Sequence, residues 1–391
     1  MDASEQVNKK GLGGPGVNQR NSIMKEIKSI LQLYNTLKSS DEKCAIAQVV
    51  RVEESSYRRE GARMIVFESG VFEGGISGGC LEGDALQRSQ IAILKQEPSI
   101  VTYDTSKEKE IGVGLGCNGI IDVLISPISE ESPMMNMLQK CLSERGAHVI
   151  ATVTALTGNW GSVSLGQSFY YDAQLSTLDN CPDTDLKEFI QNKIADVREN
   201  KKSRIYVFDV EGKKASVFIE LIPPAFHLAI YGDNYDIYPL LEMAQVMDWE
   251  VSLVGNIQKL KKDKLQSVAN LYPKDMEPRP EIDSRTAVIL MAHDYKTDIA
   301  NLRELIKSPA PYIASLGPRK RFEKMVAEFK SNGVAFSPEQ QDRIFAPCGL
   351  EIGANTPEEI ATSIFAEILS VFSGKTGGML RKKSGPIHER V

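Results

Sequence analysis

The sequence predicts an α/β chain in which an N-terminal α+β domain precedes a C-terminal Rossmann-like domain with a doubly wound, mainly parallel sheet. Three observations carry this expectation. At 391 residues the chain exceeds one ordinary core and suits two domains of ~100–200 residues each. Before Pro223-Pro224, short β-rich runs and helical patterns mix without strict alternation, as in α+β folds. Beyond that proline pair, short apolar runs alternate regularly with helical patterns, the signature of parallel strands joined by helical crossovers.

Taken in order, residues 1–22 are polar and glycine-rich and read as a disordered tail. Ile27, Ile30, Leu31 and Tyr34 then recur at helical spacing within Ile23–Leu37. Strands are expected at Ala45–Val52, Arg63–Phe67 and Val71–Ile76, a helix at Leu81–Lys95, and strands at Ile100–Tyr103 and Ile120–Ile125. A helix near Met134–Glu144, strands at His148–Ala155 and Gln167–Tyr171, and a helix at Asp185–Asn200 follow. A strand pair, Arg204–Asp209 with Ala215–Leu221, closes the first domain, which spans residues 23–222. The second domain, residues 225–373, begins with strand His227–Tyr231, helix Asp236–Met247 and strand Glu250–Val254. Strands Ala287–Met291 and Tyr312–Leu316 and helices Lys296–Ile306 and Arg319–Ser331 continue it. Thr356-Pro357-Glu358-Glu359 supplies an N-cap, a first-position proline and a capping-box glutamate to a last helix with the apolar stripe Ile360, Ile364, Ile368. Residues 374–391 are basic and glycine-rich and read as a flexible tail.

Composition narrows the function classes. A 42% hydrophobic and 25% charged chain is an ordinary globular one. Its net charge of −6, from 46 basic and 52 acidic residues, argues against a general nucleic-acid binder. No apolar run reaches the ~20 residues of a membrane span, and the first residues carry no apolar signal core. Six cysteines without a pairing pattern do not make a disulfide scaffold, so the reducing cytoplasm is the expected location.

Two glycine–cysteine stretches are the most informative. Gly74-Gly75-Ile76-Ser77-Gly78-Gly79-Cys80-Leu81-Glu82-Gly83 lies between an expected strand and an expected helix. Glycines there let the backbone approach a ligand and aim N–H groups at an anion, and the helix dipole favours a thiolate at Cys80. A tight turn with a small buried cysteine is the alternative. Gly112-Val113-Gly114-Leu115-Gly116-Cys117-Asn118-Gly119 repeats the pattern before another strand, which favours one shared anion or cofactor pocket. The two cysteines alone lack the further ligands that tetrahedral zinc requires. Upstream, Arg58, Arg59 and Arg63 crowd a loop, and arginine forks suit phosphate, although solvated arginines usually mean nothing.

The second half weakens the nicotinamide option. Its first strand–helix turn, Gly232-Asp233-Asn234-Tyr235, keeps one glycine of the dinucleotide fingerprint. Its second strand ends in Gly255-Asn256 without the acidic residue that holds an adenosine ribose. Binding of the nicotinamide dinucleotide NAD in its usual mode is therefore disfavoured. His293 and Asp294 end the third strand and Arg319 follows the fourth, so all three are candidate ligand contacts where strand ends converge; a local hydrogen-bonded cap is the alternative.

In collinear order these motifs resemble the xanthine dehydrogenase accessory factor (XdhC/CoxI) family. The segments that carry the resemblance begin with Ser55-Ser56 and Arg58-Arg59-Glu60-Gly61-Ala62-Arg63-Met64, then Gly75-Ile76-Ser77-Gly78-Gly79-Cys80-Leu81-Glu82 and Gly114-Leu115-Gly116-Cys117. Ala292-His293-Asp294-Tyr295, Ser308-Pro309-Ala310-Pro311-Tyr312-Ile313, Gly349-Leu350-Glu351-Ile352-Gly353-Ala354 and Gly385-Pro386-Ile387-His388 complete it. The chain departs from the family at Gly232-Asp233-Asn234-Tyr235, where a GxGH-like turn is usual, and at Tyr57, where proline is common.

The resemblance implies a non-catalytic chaperone for molybdenum cofactor (molybdopterin). Such a protein holds the cofactor while a cysteine desulfurase sulfurates it, then delivers it to a molybdenum hydroxylase such as xanthine dehydrogenase. It further implies that Ser77, Gly78, Gly79, Cys80, Glu82, Gly114, Gly116 and Cys117 surround the cofactor, with Cys80 and Cys117 near the molybdenum. No nucleic-acid or membrane partner is expected, and a homodimer is left open. Two other classes stay open: an NAD(P)-dependent oxidoreductase using His293 as acid/base, and a non-catalytic adaptor that docks on a molybdoenzyme.

Overall fold

The computed structural model describes residues 17–54, 56–104, 119–129, 133–210 and 212–384, with only the backbone given for 17–22 and 54. Contacts divide the chain into two compact units, one comprising Ser22–Pro224 and the other containing Ala225 onward.

The first unit holds two antiparallel sheets. Helix α1 (Val17–Leu37) starts inside the stretch expected to be disordered and leads into β1 (Cys44–Glu54), β2 (Arg63–Phe67) and β3 (Phe72–Gly74). Helix α2 (Glu82–Lys95), β4 (Ser99–Asp104) and β5 (Gly119–Ile128) complete a sheet of order β3-β2-β1-β5-β4. Ala47 of β1 lies opposite Met64 of β2 and Ile125 of β5. One face of this sheet carries Ala47, Val49, Met64, Val66, Val123 and Ile125, which pack under Ala85, Ala92 and Ile93 of α2. Alternation along β1 sends Ile46, Gln48 and Val50 to the opposite face.

After α3 (Pro133–Ser143) come β6 (His148–Thr157), β7 (Ser168–Tyr171), α4 (Thr184–Asn200), β8 (Arg204–Val210) and β9 (Lys213–Ile222). Their sheet has the order β7-β6-β9-β8. Leu186, Ile190, Ile194 and Val197 of α4 cover Val149, Ala151, Val153, Val217 and Ile219. The other face meets the first sheet, where Val50, Leu124 and Phe218 cluster.

The second unit is one parallel sheet. Its strands are β10 (His227–Tyr231), β11 (Glu250–Gly255), β12 (Asn270–Pro273), β13 (Thr286–Leu290), β14 (Tyr312–Ser315) and β15 (Ile344–Phe345). Their order, β12-β11-β10-β13-β14-β15, is the 3-2-1-4-5-6 arrangement of doubly wound dinucleotide folds, and every pairing is parallel. Sequence patterning missed β12 and β15, which are short edge strands without an apolar run. The helices are α5 (Ile237–Val246), α6 (Tyr295–Leu305), α7 (Arg319–Ser331), the single turn α8 (Pro338–Gln341) and α9 (Pro357–Ser373). Helices α5 and α9 bury Leu240, Leu241, Ile364 and Phe365 on one face, against Ile230, Leu253 and Ile289. Helices α6 and α7 bury Leu302, Met325 and Phe329 on the other, against Ala229, Val288 and Ile313. Covering both faces explains why β10 and β13 are buried throughout.

Candidate functional site

Topology gathers the candidate loops of the first unit. The connection after β1, the connection after β3 and the connection between β4 and β5 all leave from the same end of the five-stranded sheet. Registry shows it: Gln48 pairs with Arg63, Met64 with Gly74, Glu54 with Gly119 and Asp104 with Ile120. The second glycine–cysteine loop, with Gly114, Gly116 and Cys117, lies outside the described residues, although its flanking strand ends belong to this set.

The first loop is built by a clasp. At Gly74 the backbone is left-handed (φ 87°), and a Cβ there would stand 2.3 Å from the Arg63 carbonyl oxygen, so only glycine closes the turn. Ser77 then acts as a hub: its Oγ accepts from the N–H of Cys80 (3.1 Å) and of Leu81 (3.0 Å) and donates to Glu82 Oε2 (2.6 Å). Glu82 also accepts from Ser77 N–H at 2.8 Å and from Leu81 N–H at 3.2 Å. Burial opposes the charge on Glu82, yet these bonds outweigh it and hold the carboxyl below its ordinary range. Glu82 and Ser77 are thus spent on shaping the turn. The N–H groups of Gly78 and Gly79, at its exposed crest, have no hydrogen-bond partner among the described residues, and the Cys80 side chain is exposed.

The three arginines meet three different fates. Arg58 pairs with the buried Glu26 of α1; burial lowers its proton affinity while Glu82 raises it. Arg63 is fully buried: its guanidinium grips both oxygens of Glu220 and the Gly61 carbonyl (2.8 Å), so it faces the core instead of a ligand. Arg59 is half-buried, and its guanidinium makes no hydrogen bond or ion pair among the described residues. Tyr57 lies against the turn, since a Cβ at Gly78 would sit 3.1 Å from its ring. Sequence reading missed Glu26, Glu220 and the role of Tyr57; the two carboxylates are too distant along the chain to leave a local signal.

In the second unit, His293 and Asp294 follow β13 directly beside the turn that follows β10. His293 is left-handed (φ 56°), an uncommon state for a residue with a Cβ, and its Nε2 lies 2.6 Å from Asp236. Asp294 caps α6 through the N–H (2.8 Å) and hydroxyl (2.6 Å) of Thr297, which lower its proton affinity. Behind the turn, Asp298 is fully buried; burial raises its proton affinity against the opposing Ala292 N–H and Arg321. Arg319 is exposed at the start of α7. A cavity of about 580 Å³ opens nearby, lined by Asn234, Tyr235, Lys259, Lys261, Lys264 and Glu358.

This crevice does not suit a nicotinamide dinucleotide. Asp233 reaches from the first turn to the end of β11, accepting from Asn256 N–H (2.9 Å) and pairing with Lys259 (3.2 Å). A pyrophosphate on that turn would meet the carboxylates of Asp233 and Asp236 where backbone donors are needed. The exposed turn of the first unit carries a thiol, two N–H groups and an arginine without partners among the described residues, and this donor set does suit a phosphate-bearing cofactor with a thiolate-accepting metal centre. No group of three His, Cys, Asp or Glu side chains among the described residues is placed to hold a metal ion alone, and no described helix is long and apolar enough to cross a membrane.

Two family models match the chain: an XdhC Rossmann domain over residues 228–368, and the XdhC and CoxI family over residues 37–104. A Bacillus subtilis protein described as a probable xanthine dehydrogenase component is 27% identical over 348 residues, covering 86% of this chain and 96% of that protein. The molybdenum cofactor insertion chaperone PaoD of Escherichia coli is 20% identical over 353 residues, 88% of each chain. A crystal structure of a xanthine dehydrogenase from Bacillus halodurans superposes with a TM-score of 0.66 at 23% identity, covering 89% of this chain and 97% of that one, and shares its fold.

Proposed function

The chain belongs to the XdhC and CoxI family, and on that premise we propose that it is a maturation factor that binds molybdenum cofactor, holds it for sulfuration by a cysteine desulfurase and delivers it to a xanthine dehydrogenase-like hydroxylase. The observation that carries this reading is the turn at Gly78-Gly79-Cys80. Gly78, Gly79 and Cys80 are exposed, and the N–H groups of the two glycines have no partner among the described residues, while Ser77 and Glu82 close the turn from within. The free N–H groups of Gly78 and Gly79 and the guanidinium of Arg59 would take the phosphate; Cys80 would stand at the metal end. When bound, the cofactor supplies the dithiolene-held molybdenum on which the receiving enzyme depends. The chain's own part is to bind, orient and shield it. The name of PaoD supports this reading, as does the unfavourable first turn of the second unit, which argues against nicotinamide chemistry.

The test is a pterin and molybdenum assay on protein purified anaerobically from a host that makes the cofactor. Near-stoichiometric pterin, lost in Cys80→Ala or Cys117→Ala, is the expected result. A wild-type protein without pterin overturns the chaperone reading and leaves a docking adaptor; pterin retained in both variants overturns the cysteine assignment.

A further inference from the structure

Helix α2 covers one face of the five-stranded sheet, and a cavity of about 350 Å³ lies against the other. Ile46 of β1 stands opposite Ser126 of β5, and strand alternation puts both, with Ile128, on the cavity side. Phe169 of β7 walls it from the second sheet, and Met134 and Met137 of α3 close a flank. Beside it, Val50, Leu124 and Phe218 bring the two sheets into direct contact. Ser129, Pro133 and Asn180 line the cavity and are themselves exposed, so it communicates with solvent. No lining residue belongs to the turn at Cys80, which leads into α2 on the opposite face.

The lining has two chemical peculiarities. None of the described residues that line the cavity is acidic or basic. Its polar side chains are largely spent on one another and on the backbone. Ser168 Oγ lies 2.9 Å from Thr152 Oγ1 and donates to the Gly166 carbonyl at 3.2 Å. Thr177 Oγ1 accepts from Tyr170 N–H at 2.7 Å, and Gln48 Nε2 donates to Glu220 at 3.0 Å. Ser126 differs: its hydroxyl oxygen is buried and has no hydrogen-bond partner among the described residues.

We propose that this cavity is a binding site for a small uncharged molecule, with a ring-sized apolar body and one hydrogen-bonding group that Ser126 recognises. The volume admits such a body, since an apolar cavity of ~150 Å³ already holds a benzene ring. A charged molecule would leave water without a counter-charge to meet it, so the lining selects for neutrality. This excludes a phosphate-bearing cofactor, and the site is therefore separate from the one at Cys80. Met134 and Met137 adapt their shape to an occupant, and their sulfur atoms favour contact with an aromatic ring. The Ser126 hydroxyl both donates and accepts, so it fixes where the polar atom of the ligand sits, whichever kind that atom is.

The test uses the full chain with carbon-13 in its methionine methyl groups, titrated with para-cresol at pH 7. Met134→Leu and Met137→Leu assign the two wall signals with little change of volume. Both signals should shift saturably in the wild type, while those of Met243 and Met247 in the second unit stay in place. Benzoate, a ring of nearly the same size that carries a charge, should leave all four unmoved. Ser126→Ala should weaken para-cresol binding about fivefold, the effect of one neutral hydrogen bond. If Ser126→Ala does not fold, the comparison of para-cresol with benzoate on the wild type decides. No saturable shift with para-cresol, equal binding of benzoate, or unchanged affinity in a folded Ser126→Ala overturns the proposal.

Discussion

Replacing Glu220 with leucine should be among the most damaging single changes in the first unit. The Arg63 guanidinium and the Glu220 carboxylate are 0% and 1% exposed, and they join the two sheets across 157 residues of chain. Glu220 also accepts from Gln48 Nε2 at 3.0 Å, and Gly61, at φ 93°, lets the arginine loop lie against it where a Cβ would stand 2.6 Å from Oε1. Without the carboxylate, the Arg63 side chain keeps one hydrogen bond, to the Gly61 carbonyl, and its charge stays buried. Orphaning a buried charge costs about 3–5 kcal/mol. The Gln48 amide loses its acceptor as well, at about 1–3 kcal/mol, although the two losses share a site and will not add fully. In the double variant Arg63→Met with Glu220→Leu, the charge is gone. That variant should recover all but the Gln48 term, or better, because an apolar pair of similar size is often neutral or stabilising. Urea unfolding resolves this cleanly. The chain has two tryptophans, Trp160 in the core of the second sheet and Trp249 in the second unit, so a Trp249→Phe background isolates the first unit's transition. A single-variant loss under about 1 kcal/mol, or a double variant as damaged as the single, would refute the reasoning.

Three further outcomes are expected. Arg59→Gln should leave the melting temperature unchanged and reduce pterin retention about tenfold or more, the effect of one charge-assisted contact; unchanged retention would remove Arg59 from the site. Because the folded-state proton affinity of Glu82 is depressed, its contribution is present above the ordinary glutamate range near ~4.3 and lost as pH falls through the depressed value. Protection of the Ser77 and Leu81 amides, corrected for the intrinsic pH dependence of exchange, should therefore fall in acid in the wild type, and Glu82→Gln should abolish that fall. Thr356→Ala removes the hydroxyl arm of the α9 capping box, leaves the bond from the backbone N–H of residue 356 to Glu359, and should destabilise the second unit by about 1 kcal/mol, read from Trp249, whose ring stacks on Phe365 of α9 at 4.7 Å.

How far the sequence can be read depends on the distance over which an interaction acts. The alternation beyond Pro224 predicted the parallel sheet because burial on both faces leaves β10, β11 and β13 nearly all apolar. The glycines before Cys80 predicted a special turn because the left-handed backbone at Gly74 is a local demand. Edge strands β12 and β15 escaped because four and two residues on a sheet rim need no pattern. Capping of α6 by Asp294 was within reach of local reading, whereas Asp236, 57 residues from its partner His293, was not.

The arginine loop shows the limit most sharply. Arg58, Arg59 and Arg63 carry the same local signal, three cations beside a strand, and no spacing rule ranks them. Their roles are set by what lies opposite: Glu26, 32 residues upstream, takes Arg58, and Glu220, 157 residues downstream, takes Arg63. Arg59 has neither among the described residues, and a guanidinium without such a partner keeps its donors for an anion from outside. What sets Arg59 apart is the lack of a partner among the described residues, which no local spacing announces. The same argument turns Glu82 from an expected cofactor contact into a positioning residue, because its carboxylate is consumed by Ser77 and Leu81 before a ligand can reach it.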